Sequence, residues 1–385
     1  MATRCSSFRA EATLGAARAG VLRLPHGAVS TPAFMPVGTR AAVRGIAPEE
    51  LRGAGVELVL ANTYHLWERP GHGLIEELGG LHAFMAWDGP ILTDSGGYQA
   101  FSLSERVTVD DAGVRFRSKL DGELRFLTPE LAVEIQEAFG VDVAMVLDEC
   151  VAFPATRTQA EVAVARTTAW LERSLRARTR PERTALFGIV QGSTFPDLRA
   201  AHAGTLAAMD LDGIALGGLS VGEGHEAMIA AVEACVPELP GGTVRYLMGV
   251  GHPGDIAEAV ARGIDLFDCV LPTRMGRHGQ AYTWEGRLNL KNAIFRRDPR
   301  PLDPATPDSP ANAYSRAYLH HLLRSDDHLG RRLVALHNVH LYQQLVRELR
   351  AAITAGDADA FAAIRARAAR ASRPPPAVAA DEGVQ

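Results

Sequence analysis

The run Phe267-Asp-Cys-Val-Leu-Pro-Thr-Arg-Met-Gly-Arg-His-Gly-Gln280 sets one carboxylate, Asp268, at the end of an apolar stretch and then leads straight into arginines. A carboxylate placed there can attack or stabilise an electron-poor carbon, while Arg274 and Arg277 can hold phosphates beside it. That combination points to chemistry on the sugar of a nucleic acid. A second carboxylate, Asp94, follows the apolar run Ile91-Leu-Thr93. Paired carboxylates suit glycosidic-bond chemistry, one as nucleophile and one as proton carrier. Asp148 and Gln191 suggest a planar heterocycle. A carboxylate accepts two N–H donors side by side and an amide can donate to a carbonyl oxygen, which matches the N1–H, exocyclic amine and O6 edge of guanine. Tyr98 and Met248 could sandwich such a ring, although either residue alone more often packs a core.

Eight short apolar runs must position these groups: Ala33–Val37, Leu58–Ala61, Ile91–Thr93, Val143–Leu147, Leu186–Val190, Gly213–Leu216, Tyr246–Val250 and Asp265–Val270. Most are followed by a helical pattern, such as Thr128-Pro-Glu-Leu ending at Gly140, or Pro253 to Arg262 stopping at Gly263. Continuous apolar strands alternating with helices imply a parallel sheet covered on both faces, and eight of them imply an α/β fold of the (β/α)₈ TIM-barrel type. Polar or glycine residues follow nearly every strand: Asn62-Thr-Tyr-His65, Asp94-Ser-Gly-Gly-Tyr98, Asp148-Glu-Cys150, Gln191-Gly192, Gly217-Gly-Leu-Ser-Val-Gly-Glu223, Gly249-Val-Gly-His252 and Asp268. In a barrel these ends converge on one face. A single Asp at a strand end is often only a helix cap; seven polar ends in order describe a site. Residues 107–126 alternate around Asp-Ala-Gly and read as a hairpin inserted after the third strand. Residues 283–350 form a second insertion: a basic loop, a proline-rich turn, then helices carrying five histidines. The chain is thus expected to be one catalytic domain, 1–372, with a disordered tail, 373–385.

A length of 385 residues fits one large barrel or two medium domains, and a 47 % hydrophobic content suits a sizeable core. The net charge of −5 advertises no nucleic acid, so a binding surface must be local. Between Arg274 and Arg300 seven Lys or Arg face two acids, Glu285 and Asp298. Without the neighbouring motif this stretch could equally be a solvated charged loop; with it, Lys291, Arg296 and Arg297 become further candidates for phosphate contacts. Cys5, Cys150, Cys235 and Cys269 are scattered and form no C-x-x-C pair, which suits a reducing compartment. The absence of a run of about 18 apolar residues and of a leader pattern implies a cytoplasmic protein without membrane contact.

The blocks Thr93-Asp-Ser-Gly-Gly-Tyr-Gln-Ala-Phe-Ser-Leu103, Leu147-Asp-Glu-Cys150, Gly188-Ile-Val-Gln-Gly192, Gly217-Gly-Leu-Ser-Val-Gly-Glu223, Tyr246-Leu-Met-Gly-Val250 and Phe267-Asp-Cys-Val-Leu-Pro-Thr-Arg274 together resemble the bacterial tRNA-guanine transglycosylases. The likeness runs in order from about Phe34 to Tyr342. It implies exchange of the wobble guanine of G-U-N anticodon tRNAs for a 7-deazaguanine, on the way to queuosine. By the same resemblance Asp268 is the nucleophile that forms a covalent tRNA–enzyme intermediate, and Asp94 is the general acid/base. Asp148, Gln191 and the Gly218 N–H read the base edge, and Tyr98 and Met248 stack on it. The target nucleotide must leave the anticodon stack to reach such a pocket. Family members that use 7-aminomethyl-7-deazaguanine resemble this chain in having Cys150 and Val221, and the Leu219 carbonyl with Glu223 would suit its ammonium group. The expected partners are therefore tRNA, the 7-deazaguanine base and a second copy of the chain in a homodimer.

The family normally holds a structural zinc through C-x-C-x-x-C and a histidine 26 residues beyond. Here the three cysteine positions are Thr306, Asp308 and Ala311, and only His337 remains. One imidazole and one carboxylate cannot replace a tetrahedral thiolate site, so no metal or other cofactor is expected. Pro301, Pro304, Pro307 and Pro310 would stiffen the turn, at roughly 0.4–1 kcal/mol per compatible proline. That is well short of the roughly 10 kcal/mol or more of a structural zinc, which leaves helix packing to supply the difference. Two other readings compete: a non-catalytic relative that binds tRNA or supports a partner subunit, and a barrel glycosidase or phosphosugar enzyme acting on a small molecule. Retention of both Asp94 and Asp268 opposes the first; the basic stretch and the guanine-reading set oppose the second.

Overall fold

The computed structural model describes residues 4–103 and 107–374, so the tail expected to be disordered lies outside the described residues from 375 onward. Eight parallel strands close a barrel in chain order: Ala33–Gly38, Val59–Ala61, Ile91–Thr93, Val143–Met145, Ala185–Val190, Gly213–Leu216, Val244–Leu247 and Leu266–Cys269. The eighth pairs back onto the first, with Phe267 opposite Phe34 and Cys269 opposite Pro36. All eight expected strands are present. Some apolar runs outlast their ladders; Val146 and Leu147 are fully buried just past the fourth strand, where the chain turns into the mouth. Every residue of the fifth strand is buried, as a sheet covered on both faces requires.

The helices start and stop where the sequence signals them. The Thr128 hydroxyl accepts from the Leu131 N–H, Pro129 opens the helix Pro129–Phe139, and Gly140 ends it at φ 68°. The helix Pro253–Ala261 is followed at Gly263 by a left-handed residue, φ 92°. The insertion after the third strand is a three-stranded antiparallel sheet, Thr108–Asp110, Gly113–Arg117 and Leu124–Leu127, one strand more than a hairpin. The later insertion opens on a hairpin, Gln280–Thr283 with Gly286–Asn289, and runs through the helix Arg316–Arg324 into a 28-residue helix, His328–Ala355. That long helix belongs to the barrel as much as to the insertion: the Gln343 amide donates to the Phe34 carbonyl, and Tyr342 packs its ring 4.7 Å from that of Phe34.

An N-terminal antiparallel sheet, Ser7–Leu14, Ala17–Leu24 and Gly27–Thr31, went unread in the sequence. Its Ala17, Ala19, Leu22 and Val29 are completely buried in the same core as the barrel. The Arg18 guanidinium clamps Asp265 at the start of the eighth strand, with Nε 2.9 Å from Oδ1. No helix of the described residues is long and apolar enough to cross a membrane.

Candidate active site

Asp94 leaves the end of the third strand and is taken up by the turn after the second. Its carboxylate accepts from the Thr63 N–H at 2.9 Å, the Gly96 N–H at 3.2 Å, the Gln99 amide at 3.1 Å and the Asn62 amide. Burial nevertheless pushes its pKa up to about 7, and the charge of Asp268 adds to the shift. A carboxyl that titrates near neutrality can both give and take a proton.

Asp268 is partly exposed at the end of the eighth strand. Its Oδ1 accepts from the Tyr246 hydroxyl at 2.6 Å and the Gly249 N–H at 2.8 Å. Desolvation raises its pKa while those two donors pull it down. Both donors fall on Oδ1, and Oδ2 has no hydrogen-bond partner among the described residues. Two unequal carboxylates thus share one end of the barrel.

Asp148 and Gln191, from the fourth and fifth strand ends, are bonded to each other, amide Nε2 to Oδ2 at 2.6 Å, while Ser95 donates to Oδ1 at 3.3 Å. Burial raises Asp148 to about 6. The buried Gln191 Oε1 has no partner. It lies against Gly218, where a Cβ would stand 2.3 Å from it and the backbone adopts φ +63°, so only glycine fits. Behind this pair, fully buried Arg199 donates to the carbonyls of Ser193, Gly217 and Gly218 and fixes the direction of those peptides. His202 Nδ1 accepts the Gln191 N–H at 2.9 Å, and burial lowers its pKa to about 4, so the ring stays neutral.

The other candidates gather around this pair. Met248 is half-buried beside Gly217. Tyr98 is 49 % exposed in the first turn of the helix Gly97–Leu103, free to cover an incoming ring. Leu219 is buried, and Cys150 is a neutral thiol pushed up to about 12 by burial and Asp148. Glu223 differs from expectation. Its carboxylate accepts the N–H groups of Ser220 and Val221, so it holds its own loop, and an ammonium would have to share the remaining lone pairs.

Arg274 and Arg277 flank the mouth in the helix Leu271–Arg277 after the eighth strand. Desolvation, Arg44 and Arg274 all lower the Arg277 pKa, and its buried Nη1 has no partner. Among the described residues none of the three guanidiniums is paired with a carboxylate. Arg296 and Arg297 are exposed, and Lys291 packs its methylenes over Gly279.

The positions of the family's zinc ligands hold a different network. His337 is fully buried, with Nδ1 2.8 Å from the Ser309 hydroxyl and Nε2 2.8 Å from the Tyr282 carbonyl. Both ring nitrogens are therefore engaged. The Thr306 hydroxyl donates to Asp303 at 3.0 Å, and Asn312 ties Asp303 N–H, Asp303 O and Thr306 O together. Asp308 reaches outward to Arg347, and Ala311 packs in the local core. This donor set does not fit zinc.

Several partners were not read from sequence. Asn62 carries a local signal, since it caps the helix Thr63–Glu68 by accepting from His65 N–H. Tyr246, Arg199, Ser95 and Arg44 carry none, because each is joined to its partner only through space.

A closed (β/α)₈ barrel that gathers Asp94, Asp148, Gln191 and Asp268 at the C-terminal ends of its strands has the architecture of an enzyme with its site at that mouth. The family model described as queuine tRNA-ribosyltransferase matches residues 13–371. Proteins named queuine tRNA-ribosyltransferase are similar along nearly their whole length. That of Desulforamulus reducens is 51 % identical over 337 residues, 88 % of this chain and 91 % of its own. That of Geobacillus kaustophilus is 51 % identical over 88 % of this chain and 89 % of its own. That of Zymomonas mobilis is 48 % identical over 92 % and 93 %. The chain belongs to the queuine tRNA-ribosyltransferase family, and it is a pentosyltransferase.

Proposed function

We propose that the protein exchanges the wobble guanine of G-U-N anticodon tRNAs for 7-aminomethyl-7-deazaguanine in the cytoplasm, by double displacement through a covalent Asp268–tRNA intermediate. The observation that carries this reading is the asymmetry of the two carboxylates. Asp268 has one oxygen clamped by Tyr246 and Gly249 and the other open, as a nucleophile needs. Asp94 is held by four donors yet titrates near neutrality, as a proton carrier needs.

In the first displacement Asp268 Oδ2 bonds to C1′ as the C1′–N9 bond breaks, and the departing guanine takes up a proton from Asp94. In the second, the N9 of the incoming base attacks C1′, its proton passes to Asp94, and the Asp268 ester bond breaks. The proton count returns to its start, so no cofactor is needed. Asp148 and Gln191 would receive the base edge with the Gly218 N–H, between Tyr98 and Met248. Cys150 and Val221, which this chain has in common with family members that use the aminomethyl base, support that base over queuine. Arg274, Arg277, Lys291, Arg296 and Arg297 would meet phosphates. The same reading includes a homodimer and no zinc, the subdomain being held instead through His337, Asp303 and Asn312.

Asp268→Asn should bind tRNA normally yet form no covalent adduct on denaturing gels and exchange no labelled guanine. An undiminished adduct removes Asp268 from the nucleophile role, and efficient queuine incorporation by the wild-type enzyme removes the aminomethyl preference.

A further inference from the structure

A recess of about 310 Å³ is lined by Arg40, Tyr64, His65, Glu68, Arg69 and Lys119. Three elements from the C-terminal end of the barrel converge on it. Arg40 lies just past the first strand, His65 and Arg69 lie in and just after the helix that follows the second, and Lys119 lies in the turn between two strands of the inserted sheet. Among the described residues, Arg40, Arg69 and Lys119 have no acidic partner. The one carboxylate of the lining is already engaged: Glu68 accepts from the Ser118 hydroxyl and, at 3.2 Å, from Arg125 Nε. Burial and the nearby Arg40 charge lower the His65 pKa, which leaves a neutral ring that still offers one N–H.

Three cations around one concavity repel each other unless an anion enters, and an anion with several oxygens satisfies all of them at once. The recess is also tied to the reacting centre. Asn62 accepts the His65 N–H at 3.0 Å through Oδ1 and donates through its amide to Asp94. The loop after the first strand supplies Arg40 here and Arg44 to the Arg274–Arg277 cluster, so positive charge runs from the eighth-strand helix to this recess.

We infer that the recess is a second phosphate subsite, in which Arg40, Arg69 and Lys119 grip one phosphodiester of the RNA near the flipped nucleotide, separate from the phosphate met by Arg274 and Arg277. This rests on the proposed function only in taking the polymer to be RNA.

The test is a coupling experiment on binding alone, with anticodon stem-loops that each carry one uncharged methylphosphonate linkage. One linkage should weaken binding to the wild-type protein through this recess. The Arg40→Ala/Lys119→Ala protein should bind the unmodified stem-loop about tenfold more weakly, with a salt slope smaller by roughly one to two. At the gripped linkage it should lose much less than the wild-type protein does, because only Arg69 still meets that phosphate. Both side chains are exposed, and Lys119→Gln repeats the measurement with one charge removed and the fold undisturbed. Full additivity at every linkage, an unchanged salt slope, or competition by inorganic phosphate without coupling to any linkage overturns the subsite. A wild-type protein that shows the coupling but exchanges no guanine overturns the proposed function and leaves the subsite standing.

Discussion

Replacing Asp94 by asparagine should abolish base exchange and yet stabilise the protein above neutral pH. The buried carboxyl titrates at about 7 in the folded protein against an ordinary 3.8. Because the native state keeps this proton to higher pH than the unfolded chain does, the group favours folding at low pH. That contribution is lost as pH rises from 3.8 to about 7. At 1.36 kcal/mol per unit the whole window is worth about 4 kcal/mol, an upper bound for a side chain this buried.

Asparagine removes the titration but places a donor where the carboxylate had an acceptor. Its oxygen can keep the Thr63 and Gly96 N–H groups, while its amide faces Asn62 and Gln99. Gln99 can turn over, since its Oε1 is unpartnered. Asn62 cannot do so without giving up its helix cap on His65, so one mismatch of about 1–3 kcal/mol remains. The variant should therefore be less stable than wild type near pH 5, and the difference should shift by about 3 kcal/mol in its favour by about pH 8. Urea unfolding at stepped pH, followed through the buried Trp87 and Trp170, measures this directly. A stability difference that stays constant across the range would show that Asp94 does not titrate near neutrality and would refute its assignment as proton carrier.

Other changes test the neighbouring groups. Tyr246→Phe removes a donor that lowers the Asp268 pKa, so the acid limb of the kcat/KM profile should move to higher pH. The rate should fall roughly 10- to 100-fold, the worth of a hydrogen bond to a charged group; an unmoved limb excludes that role. Gly218→Ala forces a side chain into a left-handed backbone and onto Gln191, and should raise KM for the base about tenfold or more and lower stability by about 1–3 kcal/mol. An unchanged KM would remove Gly218 from the base site. His337→Ala strands the Ser309 hydroxyl and the Tyr282 carbonyl and should cost about 2–5 kcal/mol. Dialysis of the wild-type protein against a strong chelator should leave Tm unchanged; a fall would show that metal holds this subdomain.

Much of the fold was legible because its signals are local. Eight apolar runs bounded by glycine, proline and helix caps specify parallel strands buried on both faces, and the rule that barrel strand ends share one face brings Asp94, Asp148, Gln191 and Asp268 together before any coordinate is known. The absence of three cysteines was equally plain. The N-terminal sheet escaped because its first strand, Ser7–Leu14, is mostly exposed and its apolar pattern is broken by a register shift between Ala10 and Ala12.

What the sequence could not carry is contact between residues far apart in the chain. In sequence Tyr246 is an aromatic inside a strand and Arg199 a charge on a helix. Only the closed barrel turns the first onto the Asp268 carboxylate and buries the second under the Gly217–Gly218 peptides. Likewise His337 reads as a lone survivor of a metal site until the fold sets Ser309 and Tyr282 against its two nitrogens. The sequence by itself determined the barrel and its two acids, through periodicity and strand-end chemistry. Tertiary structure alone decided which oxygen of Asp268 stays open, how far burial lifts Asp94, and where Arg40, Arg69 and Lys119 meet. Desolvation and hydrogen-bond direction depend on neighbours that only the folded chain assembles.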